Sequence, residues 1–134
     1  MKKLLLIFFS VLLFQSCLKE DNTIQYEYET LIIDEMEIPD SFTFGEMHDI
    51  TIKYSLPNSC YSFYSLYYAY EETTRIVAVN ATKSLEGSCA EVVIQQEYTF
   101  TVTANQEEDY LFKFWKGKDT DGNNIFEEIT IPVN

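Results

Sequence analysis

The sequence predicts an all-β domain, a single antiparallel β-sandwich of about seven strands, and three observations predict it. From Glu29 onward, apolar and β-branched residues recur in short alternating runs. That period of two puts successive side chains on opposite faces of a pleated strand. Turn signals such as Pro39-Asp40, Pro57-Asn58 and Asp121-Gly122 separate the runs at spacings of about 8–14 residues. No stretch of that region carries the 3.6-residue spacing of an amphipathic helix.

Taken in order, Leu31 to Ile38 (LIIDEMEI) is the first strand, and Ser41 to Glu46 is a bend that returns the chain. His48 to Leu56 alternates cleanly, with Ile50, Ile52, Tyr54 and Leu56 on one face. Cys60 to Tyr70 (CYSFYSLYYAY) follows, with Tyr61, Phe63 and Tyr67 on one face and Tyr64, Leu66, Tyr68 and Tyr70 on the other. Both faces carry aromatics, so one of them is partly exposed or covered by something other than the domain's own core. Thr74 to Lys83 is the fourth strand, and Glu91 to Ala104 is one long strand or two joined by a bulge near Gln95-Gln96. Tyr110 to Lys116 and Ile125 to Val133 close the domain, joined by the loop 117–124 with an Asp-Gly turn at its centre.

The stretch before the domain has a different character. Lys2 and Lys3 precede an apolar run from Leu4 to Phe14 that only Ser10 interrupts. The run is too short to span a bilayer, which takes about 20 apolar residues, and fits the core of a signal peptide. It ends in Phe14-Gln15-Ser16-Cys17, which resembles the lipobox of bacterial lipoproteins, with Phe14 where Leu is usual. The resemblance implies cleavage before Cys17 by signal peptidase II and acylation of that residue, and two or more acyl chains give stable anchoring. The chain then divides into a signal peptide at 1–16, a lipidated Cys17 with tether at 17–29, and the sandwich at 30–134. Leu18-Lys19-Glu20-Asp21 resembles an export tag of some Gram-negative groups, which implies an outer-membrane, surface-exposed location.

Charge narrows the partners. The full chain carries a formal net charge of −13; without Lys2 and Lys3 it holds seven basic against 22 acidic residues, about −15. Phosphate binding needs the opposite sign, so nucleic acid is excluded as a partner, and docking on an anionic lipid surface is disfavoured. The three cysteines resolve once Cys17 is assigned to lipid. Cys60 and Cys89 then form an even pair in an oxidising compartment, read as a structural disulfide. The alternatives are two reduced core cysteines or a redox pair, against which stand the lack of a C-x-x-C motif and of a basic neighbour.

Asp109-Tyr110-Leu111-Phe112 resembles the late-strand pattern of immunoglobulin-like domains, in which a Tyr two residues before a buried position forms a tyrosine corner. Phe112 stands where antibody domains have their second cysteine, and Trp115 lies on this strand rather than on the third. The resemblance therefore implies an immunoglobulin-like architecture, without the sheet-bridging disulfide. The chain as a whole is similar to small surface lipoproteins of Gram-negative bacteria that have no assigned activity.

Candidate sites are few. Tyr64, Tyr68 and Tyr70 form a candidate interaction face, because tyrosines stack on sugar rings and anchor protein interfaces alike. Core packing and cross-strand tyrosine pairs are the structural alternative. Asp119, Asp121 and Glu128 match positions of a calcium-binding loop, but Gly117 stands in place of its first acidic ligand and no flanking helices are visible. A plain hairpin turn accounts for Asp-Gly-Asn without metal. His48 is the only histidine, with no nucleophile signature near it, and no metalloprotease, serine-hydrolase or phosphate-loop motif exists. The expectation is a non-catalytic envelope protein without cofactor, held to the membrane by its lipid and docking on another envelope protein. The alternative is a module that binds glycan or calcium.

Overall fold

A computed structural model describes residues 23–134; the residues read as signal peptide (1–16), as lipidated Cys17 and as the Lys19-Glu20-Asp21 tag lie outside the described residues. Every regular element among the described residues is a strand: β1 (Tyr26–Leu31), β2 (Ile33–Glu37), β3 (Met47–Leu56), β4 (Tyr61–Glu71), β5 (Thr74–Ser84), β6 (Ile94–Thr103), β7 (Tyr110–Lys118) and β8 (Asn124–Ile131). They form two sheets, one of β1, β4, β5, β7 and β8 and a smaller one in the order β2-β3-β6. The fold is the all-β sandwich that the alternation implies, with one more strand than the sequence suggests. The extra strand arises because β1 pairs with β5 in the larger sheet while β2 pairs with β3 in the smaller. The chain crosses between sheets at Ile32, and β1 begins at Tyr26, inside the stretch read as tether.

The inner faces follow the period-two pattern. Ile50, Ile52, Tyr54 and Leu56 of β3 are all buried, in one cluster with Val77 and Val79 of β5 and Phe112 and Phe114 of β7. Each such side chain taken fully out of water contributes roughly 1.5–3 kcal/mol. Tyr110, Phe112 and Phe114 stack in series along β7, their ring centres 6.1 and 5.8 Å apart. The tyrosine corner read from Asp109–Phe112 is formed: the Asn105 amide donates to Tyr110 Oη at 3.0 Å, and that hydroxyl donates to Asn105 Oδ1 at 3.2 Å.

One strand organises the larger sheet. β5 pairs with β4 along one edge, from Glu71↔Thr74 to Tyr61↔Lys83. Its other edge is shared: β7 runs parallel to it over Thr74–Val77, and β1 runs antiparallel to it over Val79–Ser84. In the immunoglobulin arrangement the third strand lies beside the penultimate one; here β5 stands between β4 and β7, and the β5–β7 pair is parallel. Ala78 marks the point where both neighbours leave β5. Near this fork β7 bulges at Lys116 between Trp115 and Gly117. Lys116 Nζ donates to the carbonyls of Ile33 and Asp34 at 2.7 and 3.1 Å, which ties β7 to the start of β2. Gly117 follows at φ +111°, a conformation open to glycine and strained for other residues.

The Cys60–Cys89 disulfide is present, with Cα atoms 5.3 Å apart. It joins the loop entering β4 to the loop 85–93, which leaves β5. Ser59 and Ala90 reinforce the junction, Ser59 N donating to Ala90 O at 3.1 Å and Ala90 N to Ser59 Oγ at 2.7 Å.

Candidate functional site

β4 decides which tyrosines reach solvent. Tyr61 and Phe63 point to the core side, but the register slips between Phe63 and Ser65, leaving Tyr64 as the extra residue of a β-bulge. The alternation restarts with its phase reversed, so Leu66 and Tyr68 now pack against the core. The face expected from the sequence, Tyr64 with Tyr68 and Tyr70, is therefore divided. Tyr64 is exposed and sets its ring edge-on against Tyr28 of β1 at 5.1 Å. Tyr68 turns inward against Phe100 of β6 at 5.6 Å, and burial pushes its hydroxyl up to about 12. Tyr70, exposed at the end of the strand, covers the buried Arg75, whose guanidinium sits 4.5 Å from its ring and 4.9 Å from that of Tyr110.

The outer face of the larger sheet gathers the other aromatics. The pairings Tyr28↔Thr82 and Thr30↔Asn80 of β1, Tyr67↔Ala78 of β4 and Trp115↔Phe126 of β7 and β8 put these side chains on one surface. Together they frame a trough of about 940 Å³, with Ile76, Ala78 and Asn80 as its floor and Tyr28, Tyr67, Trp115 and Phe126 as its walls. Its location follows from the fork at Ala78, whose short side chain leaves a depression between taller aromatic neighbours.

Hydrogen bonds fix the polar groups in this trough. Trp115 Nε1 donates to Asn124 Oδ1 at 3.1 Å, which orients the indole. Asn80 Nδ2 donates to Ser65 Oγ at 3.3 Å, and Thr30 Oγ1 donates to Asn80 Oδ1 at 3.5 Å. Flat aromatic walls with an amide and hydroxyls between them suit a partner that is apolar on its faces and polar at its edges.

The acidic hairpin is arranged differently from a cation site. Asp119 Oδ1 accepts from the amides of Asp121 and Asn123 at 2.9 and 2.8 Å, and Oδ2 accepts from Asn123 Nδ2 at 3.1 Å. These donors hold the Asp119 carboxyl below its ordinary range. Glu128 lies along β8 and pairs with Lys113 at 3.3 Å. The three proposed calcium ligands are thus not brought together; Asp119 closes its own turn. Among the described residues, no group of three or more His, Cys, Asp or Glu side chains is placed to hold a metal ion. His48 is engaged as well: its Nε2 accepts from the Thr43 amide at 2.9 Å, and its ring stacks on Phe42 at 4.8 Å.

Sequence reasoning missed Tyr28, Tyr67, Trp115 and Phe126 as one surface. The alternation Tyr26-Glu27-Tyr28-Glu29 was a readable strand signal, since period two would have placed both tyrosines together. Its inward acid meets a partner on β4: Tyr61 Oη donates to Glu29 Oε2 at 2.6 Å. The grouping of Trp115 with Tyr67 depends on which strands lie beside β5, and no local pattern carries that.

A family model described as the ORF11 beta-sandwich domain matches residues 50–130, from within β3 to within β8. No curated protein and no solved structure matches the chain.

Proposed function

The chain belongs to the ORF11 β-sandwich domain family, and from that premise we propose that it is a non-catalytic, lipid-anchored envelope protein that docks on another envelope protein. The observation that carries the docking is the aromatic trough on the outer face of the larger sheet. Tyrosine and tryptophan are the side chains most often found as binding hot spots, because they present large, stiff, amphipathic surfaces. A sheet face that sets such groups around the low point at Ala78 has the shape of a receptacle for a partner side chain. The anchor is supported by the Lys2-Lys3 start, the Leu4–Phe14 apolar run and Cys17, and export is supported by the Cys60–Cys89 bond. The Lys19-Glu20-Asp21 tag supports placement on the outer membrane facing outward.

The test is in-cell cross-linking of the tagged full chain, then purification and mass spectrometry, compared with a Tyr67→Ser/Trp115→Ser variant. One stoichiometric envelope protein that the native chain captures and the variant loses supports the reading. Equal capture by both removes the trough from it. The anchor is tested separately by radiolabelled palmitate, whose incorporation is abolished by Cys17→Ser.

A second reading, a glycan-binding module, is favoured by the Asn80 amide and Thr30 hydroxyl lying between aromatic walls. Retention on immobilised glycans that is lost in the same double variant, with no protein captured, would select it over the first.

A further inference from the structure

We propose that the end of the sandwich from which the N-terminus leaves is seated on the bilayer, with the loop 85–93 as an apolar foot. The inference rests on the lipidation of Cys17 proposed above and adds an orientation and a second membrane contact. At this end β1, β4 and β6 begin and β3 and β5 finish. The chain enters beside the loop: the Leu85 amide donates to the Gln25 carbonyl at 2.9 Å.

Four large aliphatic side chains stand in solvent here: Ile24 is 54% exposed, Leu85 53%, Val92 57% and Val93 65%. Single exposed apolar residues are ordinary on protein surfaces, but a concentration at the attachment point is not. They are also held stiffly. The Cys60–Cys89 disulfide and the paired bonds between Ser59 and Ala90 pin the middle of the loop, so less conformational freedom is lost when its apolar side chains enter a second phase.

The tether sets the occupant. Cys17 precedes Gln25 by eight residues, a reach of at most about 28 Å when fully extended. A contact between this end and the membrane is then intramolecular, at an effective concentration of order millimolar for a connection of that length. A few buried aliphatic groups suffice under that condition, where they would fail for a free domain. Glu86 and Glu91 flank the apolar residues and the whole chain is acidic, so the contact is made through apolar side chains and not through charge.

The experiment uses the full-length lipidated protein in phosphatidylcholine vesicles whose acyl chains carry a photoactivatable diazirine, with adducts mapped by mass spectrometry. Adducts are expected on Leu85, Val92 and Val93 and absent from the segment with Phe44 and Met47, which lies at the opposite end. A Val92→Asp/Val93→Asp variant should still float with the vesicles but lose the loop adducts. Flotation with adducts confined to residues 17–24, or adducts of equal yield at both ends, would overturn the proposal. So would loop-to-loop cross-links between two copies in place of lipid adducts. If the protein fails to float and its intact mass shows no lipid on Cys17, the anchor reading itself has failed and the proposal falls with it. The mass measurement separates that failure from the others.

Discussion

Removing the disulfide gives the most direct test of how the fold is held. Cys60 and Cys89 are separated by 29 residues, and closing a loop of that length removes about 3.6 kcal/mol of chain entropy from the unfolded state at 25 °C. For a domain of this size, each kcal/mol shifts the melting temperature by about 4 °C, so the loss should approach 14 °C. The perturbation is Cys60→Ser/Cys89→Ser, which leaves no thiol to mispair. Scanning calorimetry of the double variant should agree with the native protein in reductant, because the two differ only in the sulfur atoms. A shift below about 4 °C, equivalent to about 1 kcal/mol, would refute the reasoning. It would mean that the loop's ends stay together in the unfolded chain without the bond, or that the native state relaxes once the bond is gone.

Two further outcomes are expected. Tyr110→Phe strips the corner hydroxyl to which the Asn105 amide donates, and because Asn105 is exposed the cost is that of one hydrogen bond, roughly 0.5–1.5 kcal/mol, readable as a lower urea midpoint with an unchanged slope. The second concerns alkaline pH. The Tyr61 hydroxyl, through its bond to Glu29 and then burial, and that of Tyr68, through burial, are both pushed up to about 12 from 10. A raised folded-state value favours the protonated phenol in the fold, so this stability is complete below pH 10 and is lost as pH climbs from 10 towards 12. Absorbance at 295 nm should show late phenolate formation coinciding with loss of circular dichroism. Tyr61→Phe should move that transition; an unmoved transition would exclude Tyr61 from it.

Much of this was legible in the residues, for a reason that also explains what was not. The β3 face of Ile50, Ile52, Tyr54 and Leu56 is buried as its spacing requires, because a strand's period is fixed by covalent geometry. Asp109-Tyr110-Leu111-Phe112 announced its corner because the motif and its hydrogen bond are local in sequence. Tyr64 was misplaced because counting by twos carries a phase, and one bulge reverses it for every later residue. Nothing in Phe63-Tyr64-Ser65 marks that bulge, whereas the one at Lys116 is followed by Gly117. Tyr26 to Glu29 was read as the end of the tether, yet these residues open β1, and Glu29 accepts from Tyr61. The candidate site suffered most, since a surface assembled from β1, β4, β5, β7 and β8 depends on sheet order.

That dependence gives the trough a physical origin. β5 accepts two neighbours on one edge, β7 parallel and β1 antiparallel, and their paired segments end at Val77 and Val79. Two strands that approach one edge from opposite ends must both turn aside where they meet, and the polar groups exposed by the turn need partners. At the crossing between sheets Lys116 supplies them, its ammonium bonding the Ile33 and Asp34 carbonyls as β1 passes into β2. On the outer side the fork is lined by Ala78 and Asn80, with the Ile32 side chain lying against Gly117. The surrounding aromatics stand higher than this floor, and a depression follows. The same strand crossing that joins the two sheets therefore opens the surface proposed to bind. A bulky residue introduced at Ala78 would act on that surface, on the face of β5 opposite Val77 and Val79.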